Sequence, residues 1–390
     1  MGSKINFGIQ CPMFPPIENC LKAVQRAEQL GWDFIEYPDQ LTSTHPLGML
    51  KPPVPQKDPS APTSFFSEIW FGSFEMTAAA AILTDRVGLN LGVVDALRRP
   101  PSVMAQELAT LSHMSAGRLT VSVGAGEVKQ FEPYGLSRDQ PFARMEEAIR
   151  IWQALWASDG KPISRESEFW PLKDAVFPIP LYEGKRPRLL ATGGGDRIFR
   201  MAGELCDGWV TFLPGGCENN PQVMGAAIDR IKKFAREAGR DPQELTFNSH
   251  PMVVLAETDD EAWRLARHPN VGWIAITAAS IDAGKIWEKL GYKNPLGNFF
   301  WSKNISVTSM TKAQVEALTP EIPDELTDFS VIWGSPERVA KRLQPYIDAG
   351  MNEVMFVNMA ACAEPEYGVH WERLVSEVLV RLGHAPLNLG

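Results

Sequence analysis

The chain has 390 residues, of which 44% are hydrophobic and 22% charged, and its formal net charge is -9. This is an ordinary globular composition, and the absence of any basic run argues against nucleic acid as the main partner. No apolar stretch is long enough to cross a bilayer, and the five cysteines form no CxxC pair. We therefore expect no membrane span, reduced thiols and a cytoplasmic location. The histidines show no HxH or HExxH grouping, so we expect no metal site.

Strand-like and helix-like segments alternate along the whole chain. Apolar spacing predicts strands over residues 5–10, 33–39, 87–94, 118–126, 188–193, 208–213, 245–257 and 353–360. It predicts helices over residues 16–32, 74–85, 102–117, 142–157, 196–207, 224–239 and 336–350, and a last helix at the carboxyl end. Residues 166–175 are interpreted as a loop.

These eight strand–helix units favour a (β/α)₈ TIM barrel over an open doubly wound sheet. A dinucleotide-binding sheet would need a GxGxxG turn after its first strand, and "GIQCPMFP" has none. We predict one barrel domain over residues 1–390, with insertions at roughly residues 41–72 and 269–330. The first insertion is rich in proline, and the second is rich in tryptophan and phenylalanine.

In such barrels the active site lies where strands end and loops begin. The fourth predicted strand ends in Gly124-Ala125-Gly126, and Glu127 follows at once. Small residues let a flat ligand approach the backbone, and a shielded carboxylate there can exchange protons. A solvated loop glutamate is the alternative. Asp39 and Gln40, after the second strand, are either site residues or turn caps.

A glycine-rich turn, "ATGGGDR", opens the helix after the fifth predicted strand. The free N–H groups and the positive end of a helix favour an anion, most often a phosphate. A turn required only for tight packing is the alternative.

The longer motifs carry a family resemblance. The runs "YPDQ", "RRPPSVMAQELATLSHMSAGR", "VGAGEVKQFEPYG", "LLATGGGDRIFRMAGELCDGW" and "GSPERVAKRLQPYIDAGMNEVMFV" resemble the luciferase-like barrel superfamily, and within it the branch that uses coenzyme F420. The G-A-G-E run is similar to the G-T-G-E of F420-dependent sugar-phosphate dehydrogenases. The stretch "ISRESEFWPLKDAVFPIPLYEGKRP" and the "DALRR" after strand three look most like the mycobacterial phthiodiolone ketoreductases.

The resemblance implies a homodimeric oxidoreductase that transfers a hydride between reduced F420 and a ketone or alcohol. It implies that Glu127 is the acid/base residue, with Asp39 and Gln40 close to the reacting groups. A non-proline cis peptide of the family would fall at Leu91–Gly92. By position, the cofactor would contact Asp39, Leu91, Gly92, Val94, Ala125, Gly126, Gln130, Gly193, Gly194, Asp196 and Arg197. The basic residues expected near its anionic tail are Arg98, Arg99, Lys129 and Arg197.

Two departures from the family pattern bear on mechanism and substrate. Related enzymes carry Asp-His after strand two, whereas this chain has Asp39-Gln40. An amide orients a carbonyl but does not donate a proton as histidine does, so His45 is a possible substitute. A phosphate-holding lysine of the family is replaced by Gly215.

The residues near Gly215 point to a lipophilic ketone or alcohol instead of a sugar phosphate. The expected apolar lining consists of Phe212, Leu213, Trp273, Phe299, Phe300 and Trp301. The alternative is that the aromatic residues of the second insertion only pack against one another.

Two other functions stay open from the sequence. An FMN-dependent monooxygenase of the same superfamily would bind FMN in preference to F420. A non-catalytic flavin-binding protein on the same barrel would account for the missing histidine.

Overall fold

The computed structural model describes residues 5–50, 67–277 and 282–389. Its strands are β1 (Asn6–Gln10), β2 (Phe34–Tyr37), β3 (Gly88–Asp95), β4 (Leu119–Gly124), β5 (Ile163–Arg165), β6 (Leu172–Ala175), β7 (Arg188–Thr192), β8 (Gly208–Leu213), β9 (Thr246–Leu255), β10 (Ile332–Gly334) and β11 (Glu353–Asn358). Its α-helices are α1 (Ile17–Leu30), α2 (Ser73–Leu83), α3 (Pro101–Met114), α4 (Pro141–Ala157), α5 (Asp196–Glu204), α6 (Pro221–Glu237), α7 (Asp259–Ala266), α8 (Pro269–Thr277), α9 (Ala283–Lys289), α10 (Trp301–Asn304), α11 (Lys312–Leu318), α12 (Asp324–Ser330), α13 (Pro336–Asp348), α14 (Ala360–Ala363) and α15 (Gly368–Arg381).

Eight parallel strands close into a barrel in the order β1-β2-β3-β4-β7-β8-β9-β11, and β11 pairs back onto β1. Helices surround this sheet, as in other (β/α)₈ barrels. The predicted TIM barrel is therefore confirmed, and each of the eight predicted strands supplies one strand of the barrel.

The strand β4 shows how the sequence builds the wall of the barrel. All six of its residues are buried. Leu119, Val121 and Val123 belong to the main hydrophobic cluster, which also contains apolar residues of α3 and α4. Because side chains alternate along a strand, Thr120 and Ser122 point to the opposite face, the barrel interior. The alternation that predicts a strand here therefore also separates the outer core from the polar interior.

Two pieces of sheet were not predicted. β5 and β6 form an antiparallel hairpin where the sequence indicates a loop, and β10 adds to the end of β9 by pairing Ile332 with Val253. Both involve segments of three or four residues, which are too short to show a period. The five cysteines are buried, and none of them forms a disulfide bond among the described residues.

The second insertion contains α8 to α12 and contributes to a separate hydrophobic cluster with residues of β9 and β11. Of the first insertion, residues 51–66 lie outside the described residues, as do residues 278–281 of the second.

The contact between β8 and β9 yields a test of the fold. A Cβ added to Gly208 would lie 2.7 Å from the carbonyl carbon of Thr246 and closer still to its oxygen. We expect Gly208→Ala to lower the free energy of unfolding by about 1–3 kcal/mol, the usual cost of overpacking. In α6, a Cβ on Gly225 would meet only ordinary contacts at 3.7 Å. The control Gly225→Ala should raise stability by about 0.5–1 kcal/mol. Urea unfolding that shows equal effects of the two changes would contradict this packing.

Candidate active site

The predicted site residues converge at one end of the barrel. Because the strands are parallel, their carboxyl ends meet at the same rim. Asp39 and Gln40 follow β2, Glu127 follows β4, and Gly193 follows β7. The rim is thus where the side chains from these separate loops come together.

The strand β3 carries a bulge beside the site. Its pairing with β4 shifts register between Leu91 and Val94, and the non-proline cis peptide lies at Gly92–Val93. The prediction of a cis bond at Leu91–Gly92 is wrong by one residue, because the two residues that leave the regular register are Gly92 and Val93. Leu91 and Val94 are fully buried, whereas Val93 is partly exposed. A Cβ on Gly92 would lie 2.6 Å from that of Ser122.

The glycines before Glu127 have structural reasons of their own. Gly126 has φ +72°, and a Cβ there would lie 2.8 Å from Cζ of the Phe131 ring and closer still to Cε2. Arg138 donates to the carbonyl oxygens of Ala125 (3.2 Å) and Gly126 (2.8 Å), and burial lowers the pKa of its guanidinium. This loop is therefore held in a fixed path from both sides. The arginine was not anticipated, because nothing in its local sequence marks it.

A buried ion-pair cluster links the loops after β2 and β3. Arg98 donates through Nη2 to Asp39 Oδ2 at 2.5 Å and through Nε to Asp95. Arg99 adds a bond to Asp39 at 2.9 Å, and Ser73 donates to the other oxygen at 3.0 Å. Burial raises the pKa of Asp95, against the effect of Arg98. Asp39 is therefore an anchor with both oxygens occupied.

Glu127 is the most accessible carboxylate of this group. Its side chain is 24% exposed, and Oε2 lies 3.3 Å from the ammonium of Lys129. The indole Nε1 of Trp301 donates to Oε1. The structure thus brings together a predicted catalytic residue and a predicted substrate residue from α10. Two donors fix the direction of the carboxylate and stabilise its charge.

Gln40 is held by the turn that follows Glu127. Its Oε1 accepts from Lys129 Nζ and from Gln130 Nε2. Gln130 in turn accepts from the backbone N–H of Leu41 at 2.9 Å. The predicted catalytic amide and the predicted cofactor residue Gln130 are therefore in direct contact.

His45 belongs to a different environment. Its Nε2 donates to the carbonyl oxygen of Asn270 at 2.8 Å, and its Nδ1 lies 3.3 Å from Thr44 Oγ1. Burial lowers the pKa of this imidazole to about 4. A neutral, fully buried ring bound to the second insertion does not suit the role of the missing proton donor.

The glycine-rich turn leads into α5 as predicted. Gly193 and Gly195 both have positive φ, and Asp196 begins the helix, so the first N–H groups of α5 have no partners within the helix. Thr192 Oγ1, just before the turn, is buried and has no hydrogen-bond partner among the described residues. Asp196 pairs with Arg230 at 2.5 Å, and Arg197 pairs with Glu146 at 3.0 Å.

The expected basic mouth is weaker than the sequence indicates. The side chains of Arg98 and Lys129 are only 7% and 1% exposed, and carboxylates of the same loops neutralise them. Arg99 and Arg197 keep 26% and 53% exposure and remain the accessible cations of the four. The sequence alone does not show which basic side chains are neutralised by nearby carboxylates.

The predicted apolar lining divides into two groups. Leu213, Trp273 and Phe299 are buried, and Trp273 donates its indole N–H to the Thr44 carbonyl at 2.8 Å, so we assign these three to the core. Phe212, Phe300 and Trp301 are partly exposed and remain candidates for contact with a substrate.

Within residues 5–50, 67–277 and 282–389, no helix has the length and apolar character needed to cross a bilayer. The same residues contain no group of three or more histidine, cysteine, aspartate or glutamate side chains arranged to hold a metal ion.

A family model described as luciferase-like monooxygenase matches residues 5–353. The chain belongs to this family. The luciferase-like relationship that its motifs indicate is therefore confirmed.

Two members of known name are similar to the chain over most of its length. The phthiodiolone/phenolphthiodiolone dimycocerosates ketoreductase of Mycobacterium tuberculosis (strain CDC 1551 / Oshkosh) is 30% identical over 323 residues, which cover 82% of this chain and 80% of that protein. The F420-dependent glucose-6-phosphate dehydrogenase of Beutenbergia cavernae is 27% identical over 315 residues, which cover 78% and 81%. Both names denote oxidoreductases, which supports the same general function for this luciferase-like chain.

Solved structures of the family have the same fold. An F420-dependent secondary alcohol dehydrogenase in complex with an F420–acetone adduct gives a TM-score of 0.70 at 19% identity, over 97% of this chain and 99% of that one. The oxygenating constituent of 3,6-diketocamphane monooxygenase from Pseudomonas putida, in complex with FMN, gives 0.62 at 18% identity over 97% of each chain. One of these proteins is thus described with F420 and the other with FMN on a similar fold.

The burial of His45 yields a prediction of pH dependence. The unfolded chain binds a proton on this histidine near pH 6.5 and the folded protein only near pH 4, so unfolding takes up a proton between these values. Stability should fall as the pH drops through this window, by about 2 kcal/mol between pH 7 and pH 5.

Urea unfolding of His45→Gln at both pH values should show a correspondingly shallower dependence. The exposed His370→Gln is the control and should keep the wild-type slope. Parallel slopes for all three proteins would show that His45 is not held neutral.

Proposed function

We propose that the chain is an F420-dependent oxidoreductase that transfers a hydride between the deazaflavin and a lipophilic ketone or alcohol. The observation that carries the proposal is the position of Glu127. It is a partly exposed carboxylate at the barrel rim, directed by Trp301 and Lys129. Relatives named as an F420-dependent dehydrogenase and as a ketoreductase support the class of reaction.

In this proposal, the deazaflavin of F420 binds to residues of the rim. The deazaflavin would lie against the bulge at Gly92–Val93 and the backbone of Ala125 and Gly126, with Gln130 beside it. Since Leu91 and Val94 are fully buried, they would support this surface from behind without contacting the cofactor. Asp39 would shape the surface through its bonds to Arg98 and Arg99.

The phosphate region of F420 would bind at the start of α5. Gly194 and Asp196 would provide backbone N–H groups there, whereas the N–H of Gly193 donates to Val210 and Gly193 would contribute only its path in the turn. The hydroxyl of Thr192, which has no partner among the described residues, would provide a further donor. Arg197 is the accessible cation at this end. When bound, F420 supplies the hydride, and the protein supplies position and electrostatics.

The chain's own residues would manage the proton. In reduction, a ketone becomes an alcohol when its carbon receives a hydride and its oxygen a proton. Glu127 would donate that proton, and in the reverse direction its carboxylate would accept it. Gln40 would orient the carbonyl by a hydrogen bond. Trp301 keeps the carboxylate directed as its charge changes.

The proposed substrate is lipophilic because the accessible wall of the rim is apolar. Phe212, Phe300 and Trp301 are partly exposed, and Gly215 stands where sugar-phosphate enzymes of the family carry a lysine. A site without that cation gives no favourable partner to a phosphate. Homodimerisation and a cytoplasmic location stay predictions.

Replacement of Glu127 tests the proton role. With reduced F420 and 2-tridecanone as probe ketone, we expect Glu127→Gln to lower kcat by about 10²–10⁴-fold, the range for loss of a general acid. The exposed Glu132→Gln, five residues further on, should stay within about twofold of the wild type. Oxidation of the cofactor is followed by its absorbance, and F420 affinity is measured separately. An undiminished kcat in Glu127→Gln would show that Glu127 does not donate the proton to the substrate.

An FMN-dependent monooxygenase is the second candidate, because an FMN-bound monooxygenase shares the fold. It would consume oxygen in the presence of reduced FMN and a substrate, and it would not oxidise reduced F420 with a ketone. Oxygen uptake coupled to reduced FMN, with no F420-linked ketone reduction, would favour this function instead.

A further inference from the structure

The two amides beside Glu127 have a defined orientation. Gln130 must present its oxygen to Leu41, because the backbone N–H of Leu41 is only a donor. Its Nε2 therefore faces Gln40. The ammonium of Lys129 is also only a donor, and both groups meet the same Gln40 oxygen. Two fixed donors thus determine which end of Gln40 is its carbonyl.

The remaining end of Gln40 is a donor. Its Nε2 donates to no acceptor among the described residues, and the side chain is partly exposed. A group with two N–H bonds is therefore available at the position where relatives of the family carry histidine. It lies in the same loop cluster as Glu127, since Lys129 contacts both side chains.

Lys129 is the residue that makes this arrangement rigid. Its side chain is 1% exposed, and its Nζ contacts three oxygens: Gln40 Oε1, the Thr42 carbonyl at 3.2 Å and Glu127 Oε2 at 3.3 Å. An ammonium has three N–H donors, so each has an acceptor. A buried charge without these partners would be costly, so the lysine and the two loops constrain each other.

We propose that Lys129 is a positioning residue that locks Gln40 with its amide N–H groups toward the substrate, so that Gln40 supplies the hydrogen bond to the carbonyl that histidine would otherwise give. This inference rests on the proposed function. Gln40 keeps both of its protons throughout, and the proton that reaches the substrate oxygen comes from Glu127. Lys129 does not touch the substrate and acts through these two neighbours.

A double-mutant cycle tests the coupling of Lys129 to Gln40. Methionine matches the length of glutamine, is one atom shorter than lysine, and forms neither of these bonds. Lys129→Met should lower kcat/KM for 2-tridecanone by about 10–100-fold, as for loss of a hydrogen bond to a charged group. On the Gln40→Met background the same change should cost at least about threefold less than on the wild type, because only the contact with Glu127 is then left to lose. Equal losses on both backgrounds would overturn the proposal.

A second measurement does not depend on cofactor or turnover. Side-chain amide signals in a ¹H–¹⁵N spectrum are assigned to Gln40 by their loss in Gln40→Met. In Lys129→Met these signals should shift or broaden, whereas Lys185→Met, at a lysine that is 80% exposed, should leave them unchanged. Unchanged Gln40 signals in a folded Lys129→Met protein would contradict the positioning role.

The two measurements separate the failure of this inference from the failure of the proposed function. If the wild type does not oxidise reduced F420 with the ketone, the proposed function fails, and the amide spectra still decide the role of Lys129. If Lys129→Met does not fold, Lys129→Gln retains a donor of shorter reach and is tested in the same cycle and spectra. If Lys129→Gln lowers kcat/KM by the same factor in the wild type and in Gln40→Met, the proposed coupling is likewise overturned.

Discussion

The site depends on buried charged side chains, paired or hydrogen-bonded with their neighbours, that connect the loops after β2, β3 and β4. Arg98 bridges Asp39 after β2 and Asp95 at the end of β3, and Lys129 bridges the loops after β2 and β4. Breaking one partner of such a pair leaves an uncompensated buried charge, which costs about 3–5 kcal/mol. The barrel strands fix these irregular loops only where the loops begin and end. The buried pairs hold the rest of each loop in place.

The rigid rim bears on how Gln40 could act at a position where the family pattern has histidine. The family pattern that the motifs resemble has histidine where Gln40 stands, and His45 is bound to Asn270 in the second insertion. The carboxylate of Glu127 is partly exposed. It accepts a hydrogen bond from Trp301 of the second insertion and pairs with Lys129, in the turn that follows it. Proton transfer and carbonyl orientation are thus divided between Glu127 and Gln40 in the proposed mechanism.

The barrel was predictable from the sequence because buried parallel strands and amphipathic helices have strong, repeated patterns. Short elements were not, since the three residues of β10 contain no period. The predicted position of the cis bond was wrong by one residue, because the actual position depends on how β3 pairs with β4.

The site was predictable in part for a related reason. Residues at strand ends follow from topology, so Asp39, Gln40 and Glu127 could be expected at one rim. Contacts between distant segments could not. Trp301 reaches Glu127 from 174 positions away, and Arg138 secures the loop without a local motif. The sequence also does not show which basic side chains are buried and paired with carboxylates. Arg98 and Lys129 are, so the rim is less basic than predicted.

The most direct test of the central claim, a site built for F420, is an equilibrium titration of the purified protein with F420 and with FMN under matched conditions, followed by fluorescence. The account predicts that F420 binds at least about tenfold more tightly, a difference of about 1.4 kcal/mol. Equal or tighter binding of FMN would contradict it and would make the monooxygenase the better description of this barrel.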